Sequence, residues 1–294
     1  MTETRFPLGG AALRLATALY RATPFRPLRA AYFQTFLRLV RGRRVVRRVE
    51  GMLFELELGQ VIDVGVLLQQ YERDVVGILE EVTRVGWTAL DVGANIGAHA
   101  LRLTRLVGPS GRVHAFEPMD FAYAKLRRNA ALNGLPNLEI HQLALSDENR
   151  PHQEVRFRSS WASTGRRSDE STIVEMRRLD DWCADRGNPP VHLVKIDVDG
   201  HEYQVLSGGA RTIERCRPAI LIEAGAWHFA SEHNPLQWLA SHGYRFWDTS
   251  TRAELDLSAI RAKLPERDED MAVSMNLLAG VAPLLAERDG RGAR

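Results

Sequence analysis

An aspartate and two glycines stand where a strand hands over to a helix, in 90-LDVGANIGAHALRL-103. Gly93 and Gly97 tolerate backbone angles that other residues resist, and they let a ligand approach the main chain. The helix that follows opens on unpaired N–H groups and a positive dipole end, which suit a phosphate or a carboxylate. A dinucleotide fold places G-x-G-x-x-G here, and its second glycine lets a pyrophosphate reach the backbone. This chain instead reads Asp91-x-Gly93-x-x-x-Gly97, with Asn95 in the middle place. A bulky polar side chain and a neighbouring carboxylate both disfavour a pyrophosphate. The same carboxylate is favourable beside an ammonium or a sulfonium. The turn therefore favours S-adenosylmethionine, whose amino and sulfur groups are positive and whose carboxylate can meet backbone donors.

The next strand ends in 113-VHAFEP-118. Glu117 lies one βαβ step after Asp91, at the spacing where an acid hydrogen-bonds the hydroxyls of a ribose. The plainer alternative is a solvated acid at a strand end.

Methyl transfer from a sulfonium is an in-line displacement that needs alignment, and an alcohol acceptor also needs its proton removed. The fourth strand of the pattern ends in 195-KIDVDGHE-202. Alternation puts Lys195, Asp197 and Asp199 on one face, and such groups are costly to bury unless paired. Either Lys195 pairs with an aspartate to orient the loop, or Asp197 approaches cofactor or acceptor. His201 is a candidate general base by its ordinary pKa, or a cap; Glu202 suits the first helical turn in either case. Glu223 ends the fifth strand and is followed by 227-WHFASEH-233. There His228 is a second candidate base or a packing histidine, Glu223 orients it or binds an acceptor hydroxyl, and Trp227 lines a pocket or the core. Asp197, Asp199 and Glu223 also have the oxygen chemistry of a Mg²⁺ site, though nothing in the sequence requires the ion. His99, His114 and His141 fall on helix or strand segments, where packing is the default. Trp161 lies in a polar loop where it could cover a ligand.

The elements that must position these groups are legible in outline. From Trp87 strands are expected at 87–92, 112–117, 138–145, 191–198, 219–224, 244–248 and 272–278, with helices at 96–107, 119–133, 179–186, 201–216 and 235–242. Alternation of apolar strands with helices argues for an α/β fold with a mostly parallel sheet covered on both faces, and such sheets bind ligands at the strands' carboxyl ends. The polar stretch 146–172 interrupts the alternation and is expected to hold one short strand, 153–158, and a loop. Upstream, 44–58 predicts a hairpin turning at Glu50-Gly51 and 66–86 a helix ending at a glycine. Residues 1–50 carry eleven arginines and two acids, and 10–22 and 28–42 have the pattern of amphipathic helices. A cap, a substrate lid, a homodimer arm and contact with acidic phospholipid are the readings open for them. The expected division is an N-terminal helical and hairpin extension, 1–60, and a catalytic domain, 61–294.

Composition narrows the class. The chain has 294 residues, 45% hydrophobic, with a formal net charge of +2, too mild to imply nucleic acid. Cys183 and Cys216 are the only cysteines, too few for a disulfide scaffold or a zinc site, and a reduced cytoplasm is the simplest setting. No apolar run is long enough to span a membrane, and Arg14 and Arg21 interrupt the N-terminal apolar stretch that a signal peptide would need.

Taken together, DVGANIG, FEP, 143-LALSD-147, 179-LDDW-182, 194-VKIDVDGHEYQVLSGGA-210 and 218-PAILIEA-224 resemble, in order and spacing, the FkbM-type methyltransferases. The resemblance runs from about Tyr71 to Glu223. It implies the class I, Rossmann-like methyltransferase fold with a seven-stranded sheet, and methyl transfer from S-adenosylmethionine, usually to a hydroxyl of a natural product, glycan or glycolipid. It implies that Asp91, Gly93, Ala94, Asn95 and Gly97 line the methionine end, that Glu117 with Pro118 holds the ribose, and that Ala144, Leu145 and Asp147 lie near adenine; Asp197, read from its own strand, is expected to approach cofactor or acceptor. Tyr71-Glu72 resembles a pair preceding the family's first strand, so that Glu72 either touches the amino group or caps a helix. Asp199 stands where the family more often has Glu, one methylene shorter. The expected partner is a small-molecule acceptor such as a sugar or polyketide. An N-methyltransferase acting on an aminosugar, a nicotinamide-dependent oxidoreductase and a non-catalytic binding protein are the alternatives.

Overall fold

A computed structural model describes residues 42–158, 169–266, 273–282 and 285. The arginine-rich segment 1–41, on which the cap, lid and dimer-arm readings fall, and Trp161 lie outside the described residues. The chain divides into two compact units, residues 1–73 with 156–171, and residues 74–155 with 172–294.

In the first unit β1 (Arg43–Val49) and β2 (Met52–Leu58) form an antiparallel hairpin. It turns at Glu50 and Gly51, with φ of 48° and 88°, the left-handed pair that a two-residue hairpin loop requires. A helix, Val61–Leu67, follows. The single helix expected over 66–86 is in fact two, because Gln69 and Glu72 both take left-handed angles (φ 54° and 39°) and stop the first before Arg73–Val82 begins.

The second unit is built on an eight-stranded sheet. Its strands are β3 (Thr88–Val92), β4 (Arg112–Phe116), β5 (Leu138–His141), β9 (Leu193–Ile196), β10 (Ala219–Gly225), β11 (Arg245–Asp248), β12 (Glu254–Leu255) and β13 (Ser274–Gly280). They are ordered β12-β11-β13-β10-β9-β3-β4-β5. Strands β3, β4, β5, β9 and β10 run parallel, while β13 is antiparallel to both β10 and β11. A parallel sheet with the reversed strand β13 set between β10 and β11 is the class I methyltransferase arrangement that the resemblance implies, and the edge strand β12 is reversed as well. The expected count of seven is corrected to eight by two-residue β12 at the edge.

Three other expectations change. The stretch 138–145 is two strands, since the chain leaves β4 after His141 and β6 (Ala144–Ser146) pairs instead with β8 (Asp169–Arg178). Residues 146–172 hold more than one strand: β7 (Arg150–Arg158) and β8 join β6 in a three-stranded sheet ordered β6-β8-β7. The helix expected over 201–216 is broken into Glu202–Gly208 and Ala210–Cys216. The break falls at paired glycines, and a Cβ on Gly208 would lie 1.9 Å from the Ser146 carbonyl oxygen, so that helix presses directly on β6.

Apolar alternation builds one core under these strands, including Val92, Phe116, Leu145, Trp182, Ile196 and Ile222. The polar side chains at the strands' carboxyl ends are therefore set on rigid supports. Among the described residues no helix is long and apolar enough to cross a membrane.

Candidate active site

Gly93 follows β3 with φ +80°, and a Cβ on it would sit 1.9 Å from the Asp197 carbonyl oxygen. That contact brings the end of β9 against the turn. Asn95 (φ 54°) and Gly97 (φ 88°) complete the bend before the helix Ala98–Leu106.

The turn's five N–H groups from 93 to 97 all have acceptors within the chain. Gly93 and Ala94 donate to the Phe116 carbonyl at 3.0 Å each, and Gly97 donates to Ala94 at 2.8 Å. Asn95 donates to Glu117 Oε2 at 2.8 Å, and Ile96 to the Asn95 side chain at 2.6 Å. The bend's five donors are thus engaged, and the buried carboxylates of Asp91 and Glu117 flank it. The expectation that a ligand carboxylate meets its N–H groups is not met at these five positions, and a pyrophosphate finds no cradle there either.

Glu117 is buried and also accepts from Met119 N–H at 2.9 Å. Burial first, then the nearby charges of Asp91 and Asp197, push its pKa up to about 7 against the two backbone hydrogen bonds. Pro118 follows it and leads into the helix Asp120–Asn133.

Asp91 is 1% exposed on β3, in register with Lys195 on β9. Lys195 Nζ lies 2.9 Å from Asp197 Oδ2 and 3.9 Å from Asp91 Oδ1. One buried ammonium thus hydrogen-bonds Asp197 and lies at ion-pair distance from Asp91. Beyond Asp197, Asp199 takes a left-handed angle, φ 52°. The carboxylates of Asp197, Asp199 and Glu223 come within 4.8 Å of one another. Burial and mutual repulsion raise Asp199 to about 6 and Glu223 to about 8, while Ser274, on neighbouring β13, donates a hydrogen bond to Glu223. Among the described residues five acids gather around one lysine, and the raised pKa values of Glu117, Asp199 and Glu223 express a crowding of negative charge that a cation would relieve.

The two histidines have different surroundings. His228 is buried, and its Nε2 meets Glu202 Oε2 at 2.8 Å while Nδ1 accepts from Gly225 N–H at 3.3 Å. Both ring nitrogens are engaged, which leaves none to receive a substrate proton. Glu202 Oε1 in turn accepts from Val198 and Gly200 N–H at 3.2 Å each. Burial raises the Glu202 pKa, but the hydrogen bond from His228 and those from the backbone outweigh it, so the net shift is downward. The pair pins the loop that carries Asp197 and Asp199. Removing one partner of a buried pair leaves the other uncompensated. Glu202→Ala is expected to lower unfolding free energy by about 3 kcal/mol, read by urea denaturation; a change under about 1 kcal/mol contradicts the clamp. His201 Nε2 lies 3.0 Å from Ser146 Oγ, and burial lowers its pKa against the nearby charges of Asp147 and Glu202.

Of the residues expected near adenine, Ala144 is half-buried and Asp147 exposed, but Leu145 packs into the core beside Phe116 and Trp182. Glu72 belongs to the first unit. Trp227 folds its ring over Gly225, where a Cβ would meet it at 2.0 Å. Ser274 and Ser146 were not anticipated: a serine in a strand carries no spacing signal. Glu202 stands in the quoted motif, yet its partner is 26 residues away.

A family profile described as the methyltransferase FkbM domain matches residues 91–246. The 2-O-methyltransferase NoeI of Sinorhizobium fredii is 30% identical, the match covering 57% of this chain and 76% of that protein. The 31-O-demethyl-FK506 methyltransferase FkbM of Streptomyces tacrolimicus is 29% identical over 42% of this chain and 60% of its own length. The hexuronic acid methyltransferase AglP of Haloferax volcanii is 29% identical over 52% and 63%. A crystal structure of a methyltransferase FkbM from Methylobacillus flagellatus superposes with a TM-score of 0.43 and 17% identity, over 74% of this chain and 52% of that one.

Proposed function

This chain belongs to the FkbM methyltransferase family and is an S-adenosylmethionine-dependent methyltransferase; from that premise we propose that it methylates a hydroxyl oxygen of a small, sugar-like or polyketide acceptor, with Glu223 as the general base. The observation that carries the reading is the donor-exhausted, acid-lined turn, which suits a cationic cofactor and not a phosphate.

When bound, S-adenosylmethionine supplies an electrophilic methyl group on a cationic sulfur. Asp91 and Asp197, the second hydrogen-bonded by Lys195, would offset that positive charge, and the Glu117 carboxylate would accept hydrogen bonds from the ribose hydroxyls. Gly93 lets the ligand lie close to the chain. Glu223 would take the proton that the acceptor hydroxyl loses as its oxygen bonds to the methyl carbon, while the methyl–sulfur bond breaks and its electron pair stays on the now neutral sulfur. A carboxylate raised to about 8 is basic enough to do this near neutral pH. His228 and Glu202 are positioning residues that hold the Asp197–Asp199 loop.

A cavity of about 470 Å³ in the second unit, lined by Asp248, Ser250, Lys263, Ser274 and Asn276 among others, adjoins Glu223 through Ser274. Its size suits a small molecule, and its hydroxyl, amide and charged groups, set among Leu264, Val273 and Met275, suit one that carries hydroxyls on an apolar frame. The names of the relatives, a 2-O-methyltransferase and a hexuronic acid methyltransferase, support a glycan-type acceptor. Two free thiols fit a reducing cytoplasm.

The test is transfer of labelled methyl to a panel of sugars, glycolipid headgroups and macrolides, with and without EDTA. Transfer to hydroxyl acceptors supports the reading; transfer only to amines replaces it with N-methylation. Activity that survives EDTA assigns Asp197, Asp199 and Glu223 to the reaction without Mg²⁺; loss restored by Mg²⁺ assigns them to the ion as well.

Donor binding is expected to depend on pH. Glu117 is raised from 4.5 to about 7, so the unliganded protein loses stability as pH climbs through that interval. A cation and two ribose hydroxyls both prefer the ionised carboxylate. The donor Kd should therefore fall by about tenfold between pH 6 and pH 8, with proton uptake by buffer, and flatten in Glu117→Gln. A Kd independent of pH in calorimetry would rule this out.

A further inference from the structure

At the sheet edge, on the strands that flank Glu117, one face gathers two histidines and a glutamate. Strands β4 and β5 are parallel, with His114 opposite Glu139 and Phe116 opposite His141. Alternation then puts His114, Glu139 and His141 on the same face. His114 Nδ1 lies 3.3 Å from His141 Nε2 and 3.5 Å from Glu139 Oε2. All three ligand atoms fall within 4.8 Å of one another.

We propose that His114, Glu139 and His141 bind a four-coordinate divalent transition metal, zinc by its chemistry, with solvent in the fourth position. Two imidazole nitrogens and one carboxylate oxygen form a donor set that suits zinc. Ligands about 2.0–2.1 Å from a tetrahedral ion stand about 3.3 Å apart, and the two distances from His114 are compatible with that arrangement. A hydrogen bond between the two rings is the competing use of these atoms, but 3.3 Å is long for one.

The rings are already fixed. Trp182 packs edge-on against both histidines, with centroids 4.8 and 5.3 Å away, and Phe116 stacks on His141. Glu139 is exposed and gives the ion an open approach; Arg112, also exposed and 3.5 Å from Glu139, must turn aside. The bound metal would clip four-residue β5 to β4 beside Glu117, whose N–H donates to the His141 carbonyl at 3.0 Å.

The experiment is Co²⁺ titration of the full chain after stripping with a chelator. One equivalent should give the intense visible bands of four-coordinate cobalt, and Zn²⁺ should abolish them. Glu139→Gln and His141→Gln should each weaken binding by roughly tenfold or more, at least the loss that follows removal of an outer-shell partner. Glu139 is exposed, so Glu139→Gln folds and decides the matter if His141→Gln does not. Only the weak bands of six-coordinate cobalt, or tetrahedral bands kept in Glu139→Gln, would overturn the site. Neither result depends on the methyl-transfer reading.

Discussion

Gly93→Ala will lose donor binding and much of its stability together. The residue holds φ +80°, and the added Cβ would lie 1.9 Å from the Asp197 carbonyl oxygen, 3.0 Å from its carbon and 3.2 Å from Val198 Cγ1. The first two are backbone atoms of the segment that leaves β9, so no rotamer change relieves them. Left-handed strain and overpacking together should cost about 3 kcal/mol or more, and displacement of Asp197 should raise the donor Kd by about a hundredfold or more. Gly134→Ala is the control. It too is left-handed, at φ +59°, but nothing lies within 4 Å of its new Cβ, so its cost is expected near 1 kcal/mol. Equal losses in both variants, by urea denaturation and calorimetry, would mean that backbone strain alone matters and that the approach of Asp197 to the turn does not.

Glu223→Gln should lower kcat by about a hundredfold to a thousandfold while leaving the donor Kd within about threefold of wild type, roughly 0.65 kcal/mol. The amide keeps the size of the side chain but cannot take a proton. In the wild type, Glu223 must be ionised to act as a base, and its pKa is raised to about 8. The rate should therefore climb with pH up to about 8 and then level, and that rising limb should vanish in the variant. Steady-state rates across pH 6–9 read both effects. A variant with near-normal kcat and the same rising limb would remove Glu223 from proton transfer and favour an amine acceptor, which needs less help from a base.

Much of this fold could be read in the chain. Apolar strands such as 112-RVHAF-116 and 219-AILIEAG-225 are buried on both faces, so their composition announces them. Elements that depend on a distant partner were less visible. The parting of β5 from β6 at residues 142 and 143 is decided by β8, and β8 lies some 30 residues downstream in a polar stretch. The break after Gly208 reflects its contact with Ser146, which has no local mark. The site divides in the same way. Asp91, Glu117 and Lys195 stand out because a charge at the end of an apolar strand is costly without a purpose. The saturation of the turn's N–H groups could not be read, because their acceptors come from Phe116 and Glu117 on the next strand. Likewise His228 resembled a candidate base until Glu202 was seen against it.

The most direct test titrates the purified chain by calorimetry with S-adenosylmethionine and, separately, with NAD⁺, in wild type and in Asp91→Asn. The acid-lined turn predicts saturable binding of the sulfonium donor, none of the dinucleotide at millimolar concentration, and a roughly tenfold or greater loss in Asp91→Asn. Binding of NAD⁺ in place of the sulfonium donor, or an Asp91→Asn chain that binds the donor as well as wild type, would contradict it.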